Sequence, residues 1–343
     1  MDASFQRLSL LTQTAYARLL DQLGASTVGE LASGTSLVSK SIRGHRYWYA
    51  QTRVGGRKIQ RYVGPDSEET NRLVERWRRS RAEATSRAEL VAMARAGGAY
   101  VVPAAEARVL GRLAAVFRMG GVLVGSHAFA VLGNSLGVRW REAMVRTGDV
   151  DVATDARIGL AVSRETRPLD LDALLGDPIP RVPILHPTYP ATSFSIRGTS
   201  IEVDLLTPLV GRERSRPISI PGLGVAATPL RFLDYLIEET QPGAVLGGEG
   251  VLVNVPRPGR FALHKLIVAS RQRVAGGSPT KSRKDVEQAN ALIRVLAEDL
   301  PGELSLAWKA LAGRGPAWRA AVASTLRRLD PEVVEILRAR GVP

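Results

Sequence analysis

Two aspartates separated by a single valine, Asp149 and Asp151 in TGDVDVA, constrain this chain more than any other feature. Residues i and i+2 of a β-strand point to the same face. The pair therefore predicts a strand that presents two carboxylates side by side. Such a pair is costly unless a cation or a proton neutralises it. Carboxylate oxygens suit hard Mg²⁺, so a divalent metal is the simplest explanation. The plainer alternative is an exposed edge strand with solvated acids.

The flanking sequence favours the first reading. Upstream, GGVLVGSHAFAVLG reads as a short apolar strand, a Gly125-Ser126 turn and a helix. The first backbone amides of a helix are unpaired and make a seat for an anion such as phosphate. Glycine lets the phosphate approach the backbone, and Ser126 adds a hydroxyl donor. Downstream, IEVDLLTPL repeats the acidic spacing with Glu202 and Asp204. Three or four carboxylates from two adjacent strands, next to a phosphate seat, fit a site for two metals and a triphosphate.

The order GS, DVD, EVD resembles the DNA polymerase β-like nucleotidyltransferase superfamily. It is similar in particular to bacterial stand-alone nucleotidyltransferase-like proteins, including relatives of toxin and abortive-infection enzymes. The helices RFALHKLIVASRQR and KSRKDVEQANALI belong to the same resemblance, which covers roughly 104–300. It implies that Gly125 and Ser126 hold the β and γ phosphates and that Asp149 and Asp151 bind two Mg²⁺ ions. Asp204 would be the third carboxylate, acting toward the acceptor, with Glu202 its competitor for that role. Lys265 would reach the triphosphate, Lys284 and Asp285 would lie near the mouth, and Thr147 would add a hydroxyl. The implied reaction moves a nucleoside monophosphate from an NTP such as ATP to an acceptor: RNA (a tRNA end among the options), a protein hydroxyl or a small molecule. One departure is the long stretch between Ser126 and Asp149, where GVRWREAMVR reads as an extra loop or hairpin.

Composition limits the alternatives. The chain has no cysteine, which excludes disulfides, thiolate catalysis and cysteine-ligated zinc. No apolar run is long enough to span a bilayer, and MDASFQRLSLL does not read as a secretory signal, so the expected location is the cytoplasm. The formal charge of +14 favours polyanionic partners. Much of it is local: 31–65 contains no acid, while Lys40, Arg43, Arg46, Arg53, Arg57, Lys58 and Arg61 all fall there.

The expected fold class is α+β. SFQRLSLLTQTAYARLLDQL reads as a helix, and YWYAQTRV and KIQRYVG as a β-hairpin turning at Gly55-Gly56. A long polar helix follows over 67–96 and breaks at Gly97-Gly98. The expected division is a basic helix and hairpin module over 1–98, a nucleotidyltransferase core with a mixed sheet over 99–257, and a helical C-terminal lobe over 258–343. ATPLRFLDYLIEE reads as a helix capped by Thr228 with Pro229 at its first position, and AGGSPTKSR reads as a loop.

Other features carry less. GLGVAA at Gly222 has dinucleotide-fingerprint spacing but lacks the surrounding strand-helix-strand unit and the ribose-binding acid. His45, His127, His186 and His264 show no metal spacing, and His127 reads as an idle first-turn residue. Lys265 is equally readable as a solvated helix lysine, and Arg271 and Arg273 read either as phosphate contacts or as charges that suit a helix C-terminus. In the hairpin over 38–62, the arginines read as contacts for RNA or DNA and the aromatics Tyr47, Trp48 and Tyr49 as packing. A non-catalytic nucleic-acid-binding protein on the same scaffold is the alternative to an enzyme.

Overall fold

The computed structural model describes residues 4–25, 36–54, 57–156, 169–176, 178–181, 188–212, 216–274 and 278–342. The turn at Gly55-Gly56 and His186 lie outside them. The chain opens with β1 (Phe5–Arg7) and α1 (Leu10–Ala25). The helix expected from Ser4 onward therefore begins later. Its first residues are drawn into strand by pairing with β6 (Val138–Trp140), Phe5 opposite Trp140. This partner lies in the stretch expected to be a loop or hairpin.

Strands β2 (Ser36–Ile42), β3 (His45–Val54) and β4 (Arg57–Pro65) form an antiparallel three-stranded sheet. The expected hairpin is its second half. Helix α2 (Glu68–Ala96) follows, and the Ser67 Oγ accepts a bond from the Thr70 amide at 3.3 Å. The far half of α2 returns to the main body. There Leu90, Val91 and Ala94 share a buried cluster with Tyr16 and Leu19 of α1 and with Ala244 and Leu246.

The main body alternates helix and strand: α3 (Ala104–Arg112), α4 (Ala114–Arg118), β5 (Val122–Leu123), α5 (Gly125–Ser135), β6, α6 (Glu142–Val145) and β7 (Asp149–Ala153). Then come α7 (Leu171–Leu175), β8 (Ile179–Arg181), β9 (Ser193–Ser195), β10 (Glu202–Pro208), β11 (Ile218–Ile220), β12 (Val225–Leu230), α8 (Leu233–Ile237), β13 (Thr240–Val245) and β14 (Val251–Pro256). The chain closes with five helices, α9 (Pro258–Val274), α10 (Pro279–Asp299), α11 (Pro301–Ala312), α12 (Pro316–Leu326) and α13 (Pro331–Arg338). The fold is α+β, with a mixed sheet and a helical C-terminal region, as the sequence pattern implied.

Among the described residues the large sheet runs β11-β12-β10-β7-β5-β14-β13, with β9 beside the first half of β10 and β8 beside β9. β7 and β10 are parallel neighbours, and β5 runs antiparallel to β7. Their apolar residues Val150, Val152, Val203 and Leu205 are fully buried in the main core. The alternating acids must then lie on the opposite face.

Two further expectations are overturned. Thr228 is no helix cap: it lies within β12, opposite Leu206 of β10, and its hydroxyl donates to that of Thr192 at 2.8 Å. Thr-Pro before an apolar run is a local helix signal, but pairing with β10 and β11 satisfies this backbone as strand. Pro279 and Thr280, expected in a loop, already belong to α10, ahead of the helix expected from Ser282.

Candidate active site

The site is assembled from the sheet outward. In the β7–β10 pairing, Glu202 stands opposite Asp149 and Asp204 opposite Asp151. All four carboxylates thus rise from one face of two adjacent strands. Glu202 is already committed, in an ion pair with Arg181 of β8. Among the described residues no cation pairs with Asp204, which lies against Asp151. Burial first, and then the Asp204 charge, push the Asp151 carboxyl up to about 6. Asp149 adds to the rise, while Lys281 and Lys265 oppose it. The two lysines therefore already face the acids that a cation would neutralise.

The turn expected to seat phosphate closes over this carboxyl. Val124 donates its amide to the Asp151 carbonyl at 3.0 Å, which fixes the end of β5 on β7. Gly125 follows at φ +66°, and a Cβ there would meet Asp151 Oδ2 well inside contact distance and its Cγ at 3.0 Å. Glycine is required twice, for the left-handed backbone and for the close approach. Ser126 is half-buried in the first turn of α5. Thr147 Oγ1 accepts from the Asp149 amide at 3.2 Å, which holds the start of β7 and leaves the hydroxyl proton to donate.

His127 is not idle. It is 2 % exposed, with Nδ1 at 3.1 Å from the Asp149 carbonyl and Nε2 at 2.9 Å from Glu106 Oε2. A buried imidazole bound at both nitrogens ties α3, α5 and β7 together directly under the aspartate pair. His264 has a different environment: burial, then the Lys265 charge, push its imidazole down to about 3, so it stays neutral.

Helices α9 and α10 supply the cations. Lys265 is neither solvated nor free, since its Nζ lies 2.7 Å from Asp285 Oδ1, with side chains 12 % and 5 % exposed. Lys284 donates to the Arg146 carbonyl at 2.8 Å, and burial followed by Lys265 lowers its ammonium from the usual value. Asp285 itself is buried, 4 % exposed. Lys281, which sequence reasoning did not single out, belongs to a polar stripe with Lys284, Asp285 and Gln288 at helical spacing. That i, i+3, i+4, i+7 spacing along one helix face was the available signal.

Breaking a buried ion pair by removing one partner leaves an uncompensated charge. Asp285→Ala is expected to cost about 3 kcal/mol in urea unfolding. Adding Lys265→Ala is expected to recover part of it. Equal stability of wild type and single variant would show that Lys265 finds another partner.

The structure thus brings together Gly125, Ser126, Asp149, Asp151, Asp204, Lys265 and Lys284, and adds Lys281 facing the acids and His127 with Glu106 behind them. It turns Glu202 toward Arg181. The donor set is oxygen only, which suits a hard divalent ion. Among the described residues, however, no three His, Cys, Asp or Glu side chains stand grouped as a ready metal cage. No helix among the described residues is long and apolar enough to cross a membrane.

The β5-turn-α5 unit thus stands beside the acidic parallel strands β7 and β10. The nucleotidyltransferase family model matches residues 105–313, and the chain belongs to that family. A second model, a domain of unknown function (DUF6788), matches residues 10–72. Comparison with curated proteins and with solved structures gives no match.

Proposed function

We propose that the chain transfers a nucleoside monophosphate from an NTP to an acceptor hydroxyl and releases pyrophosphate, in the manner of the polymerase β-like enzymes it resembles. The observation that carries this reading is the register of Asp204 beside Asp151, with Gly125 closed over the latter. Asp149, Asp151 and Asp204 would hold the Mg²⁺ ions, which supply charge neutralisation at the phosphates when bound. The raised carboxyl of Asp151 supports that role, because desolvation of its charge and repulsion from Asp204 are what a cation relieves. Asp204 is preferred to Glu202 as the third carboxylate because Arg181 engages the latter.

Gly125 and Ser126 receive the terminal phosphates through the start of α5. Lys265, Lys281 and Lys284 line the facing side and favour a polyanion there. In the reaction, the acceptor oxygen bonds to the α-phosphorus, and the α-phosphorus bond to the oxygen bridging toward the β-phosphate breaks. Pyrophosphate leaves with that electron pair, and the hydroxyl proton passes to the Asp204 carboxylate. We assign transfer to 99–257, closure to the helical region 258–343, and partner recruitment by the basic arginines to 1–98.

The test is incorporation of label from each NTP, with Mg²⁺ and either total RNA or a lysate, by the full chain and by Asp149→Ala/Asp151→Ala. Label is expected in an acceptor fraction with wild type and lost in the variant. No incorporation into RNA, protein or small molecules, with RNA retention equal in both proteins, would replace this reading with a non-catalytic binding protein.

A further inference from the structure

The three-stranded sheet has two unlike faces. One is closed by α2: Trp48 is 8 % exposed, donates its indole N–H to Asn71 Oδ1 at 3.2 Å and lies 5.6 Å below the Arg78 guanidinium. The other face carries Tyr47, Tyr49 and Tyr62. Tyr49 and Tyr62 are directly opposed across β3 and β4, with ring centroids 5.7 Å apart, and Tyr47 lies 6.2 Å from Tyr62. Tyr62 is 57 % exposed, and Tyr47 and Tyr49 are partly exposed. Lys40, opposite Tyr47 in the register, holds its ammonium 5.1 Å from the Tyr49 ring. The packing expected of these aromatics is thus divided: Trp48 is buried against α2, while Tyr47 and Tyr49 are partly exposed and pack on Tyr62.

Three rings on an open sheet face form a platform, and its charge selects the occupant. The segment 31–65 has seven basic residues and no acid, and Arg43 and Arg46 are exposed at the β2–β3 turn. We propose that this face binds single-stranded nucleic acid, with bases stacked on Tyr47, Tyr49 and Tyr62 and the backbone drawn by Lys40, on the same face, and by Arg43 at the adjoining turn. A duplex does not fit this chemistry, because its bases already stack on one another and offer no free ring face. The inference goes beyond the transfer reading and does not depend on it. Where that reading holds, the strand is the acceptor.

The test is fluorescence anisotropy of a labelled 12-nucleotide uridine RNA, and of the same strand annealed to its complement, titrated with the full chain. The single strand is expected to bind more tightly than the duplex. Each Tyr→Ala change is expected to weaken binding about tenfold, and the three combined about a hundredfold or more. The triple Tyr→Phe variant should stay within about threefold of wild type, while the triple Tyr→Leu variant, which keeps bulk but not the ring, should fall with the alanine series. Lys40→Gln should reduce the slope of log affinity against log salt by about 0.7. Circular dichroism and melting of each variant report the fold. Unchanged binding by the folded triple leucine variant, equal binding of duplex and single strand, or no binding by wild type would each overturn the proposal. Asp149→Ala/Asp151→Ala is expected to bind RNA as wild type does, so failed transfer and failed binding are read separately.

Discussion

Asp151→Asn is expected to abolish nucleotidyl transfer while making the ligand-free protein more stable at pH 8. The wild-type carboxyl is raised from 3.8 to about 6 in the folded protein, by burial and then by the Asp204 charge. Between those two values the native state keeps a proton that the unfolded chain has released. The stability contributed by the neutral form is complete below the unfolded value and is lost as pH rises through about 6. At pH 8 the wild type carries the whole cost of a charged, half-buried carboxylate beside Asp204, whereas asparagine never ionises. The variant is expected to gain about 2 kcal/mol, seen as a melting point a few degrees higher. At pH 4 to 5 the gain should shrink toward zero. Mg²⁺ with NTP should raise the melting point of the wild type more than that of the variant, because a ligand stabilises only the state that binds it. Turnover should fall by roughly a hundredfold or more, since the amide supplies neither the charge nor the second oxygen donor. Equal melting points at pH 8 would mean that the carboxylate is not strained by its neighbours. Retained turnover would remove Asp151 from the metal-binding role.

Legibility followed the range of the interactions. Alternation along a strand is local, so DVDVA and EVDLL declared which residues share a face. The strand-turn-helix at Gly125 was equally local. The register that sets Asp204 beside Asp151, rather than two residues out of step, joins segments more than fifty residues apart and has no mark in either. The same distance problem hid the β1–β6 pairing, the Lys265–Asp285 pair and the His127–Glu106 pair. Thr228-Pro229 misled for a related reason: a good helix start was overruled by edge pairing with β10 and β11. In the YWY run, alternation separated Trp48 from the two tyrosines, but only the position of α2 decided which side was covered.

Gly125→Ala is expected to damage activity far beyond its cost to stability. Two penalties fall on this one methyl group. The first is the backbone at φ +66°, where an L side chain costs about 1–2 kcal/mol. The second is the overlap of the new Cβ with the Asp151 carboxylate. The turn cannot retreat easily, because the Val124 amide is bonded to the Asp151 carbonyl and His127, two residues on, is bonded to the Asp149 carbonyl. The carboxylate must rotate instead, away from the position it shares with Asp204. Misplacing a reacting group by about 1 Å can cost roughly a hundredfold in rate, and a loss of that order in kcat is expected. Gly198→Ala supplies the control, since it has a similar φ of +73° but nothing within 4 Å of its Cβ. It should pay the backbone penalty alone, with unfolding easier by about 1 kcal/mol and transfer unaltered. The decisive measurement is the ratio of the two variants' kcat values at matched stability. A ratio near one would mean that the Gly125 turn does not position Asp151, and the phosphate seat would have to be sought elsewhere in the fold.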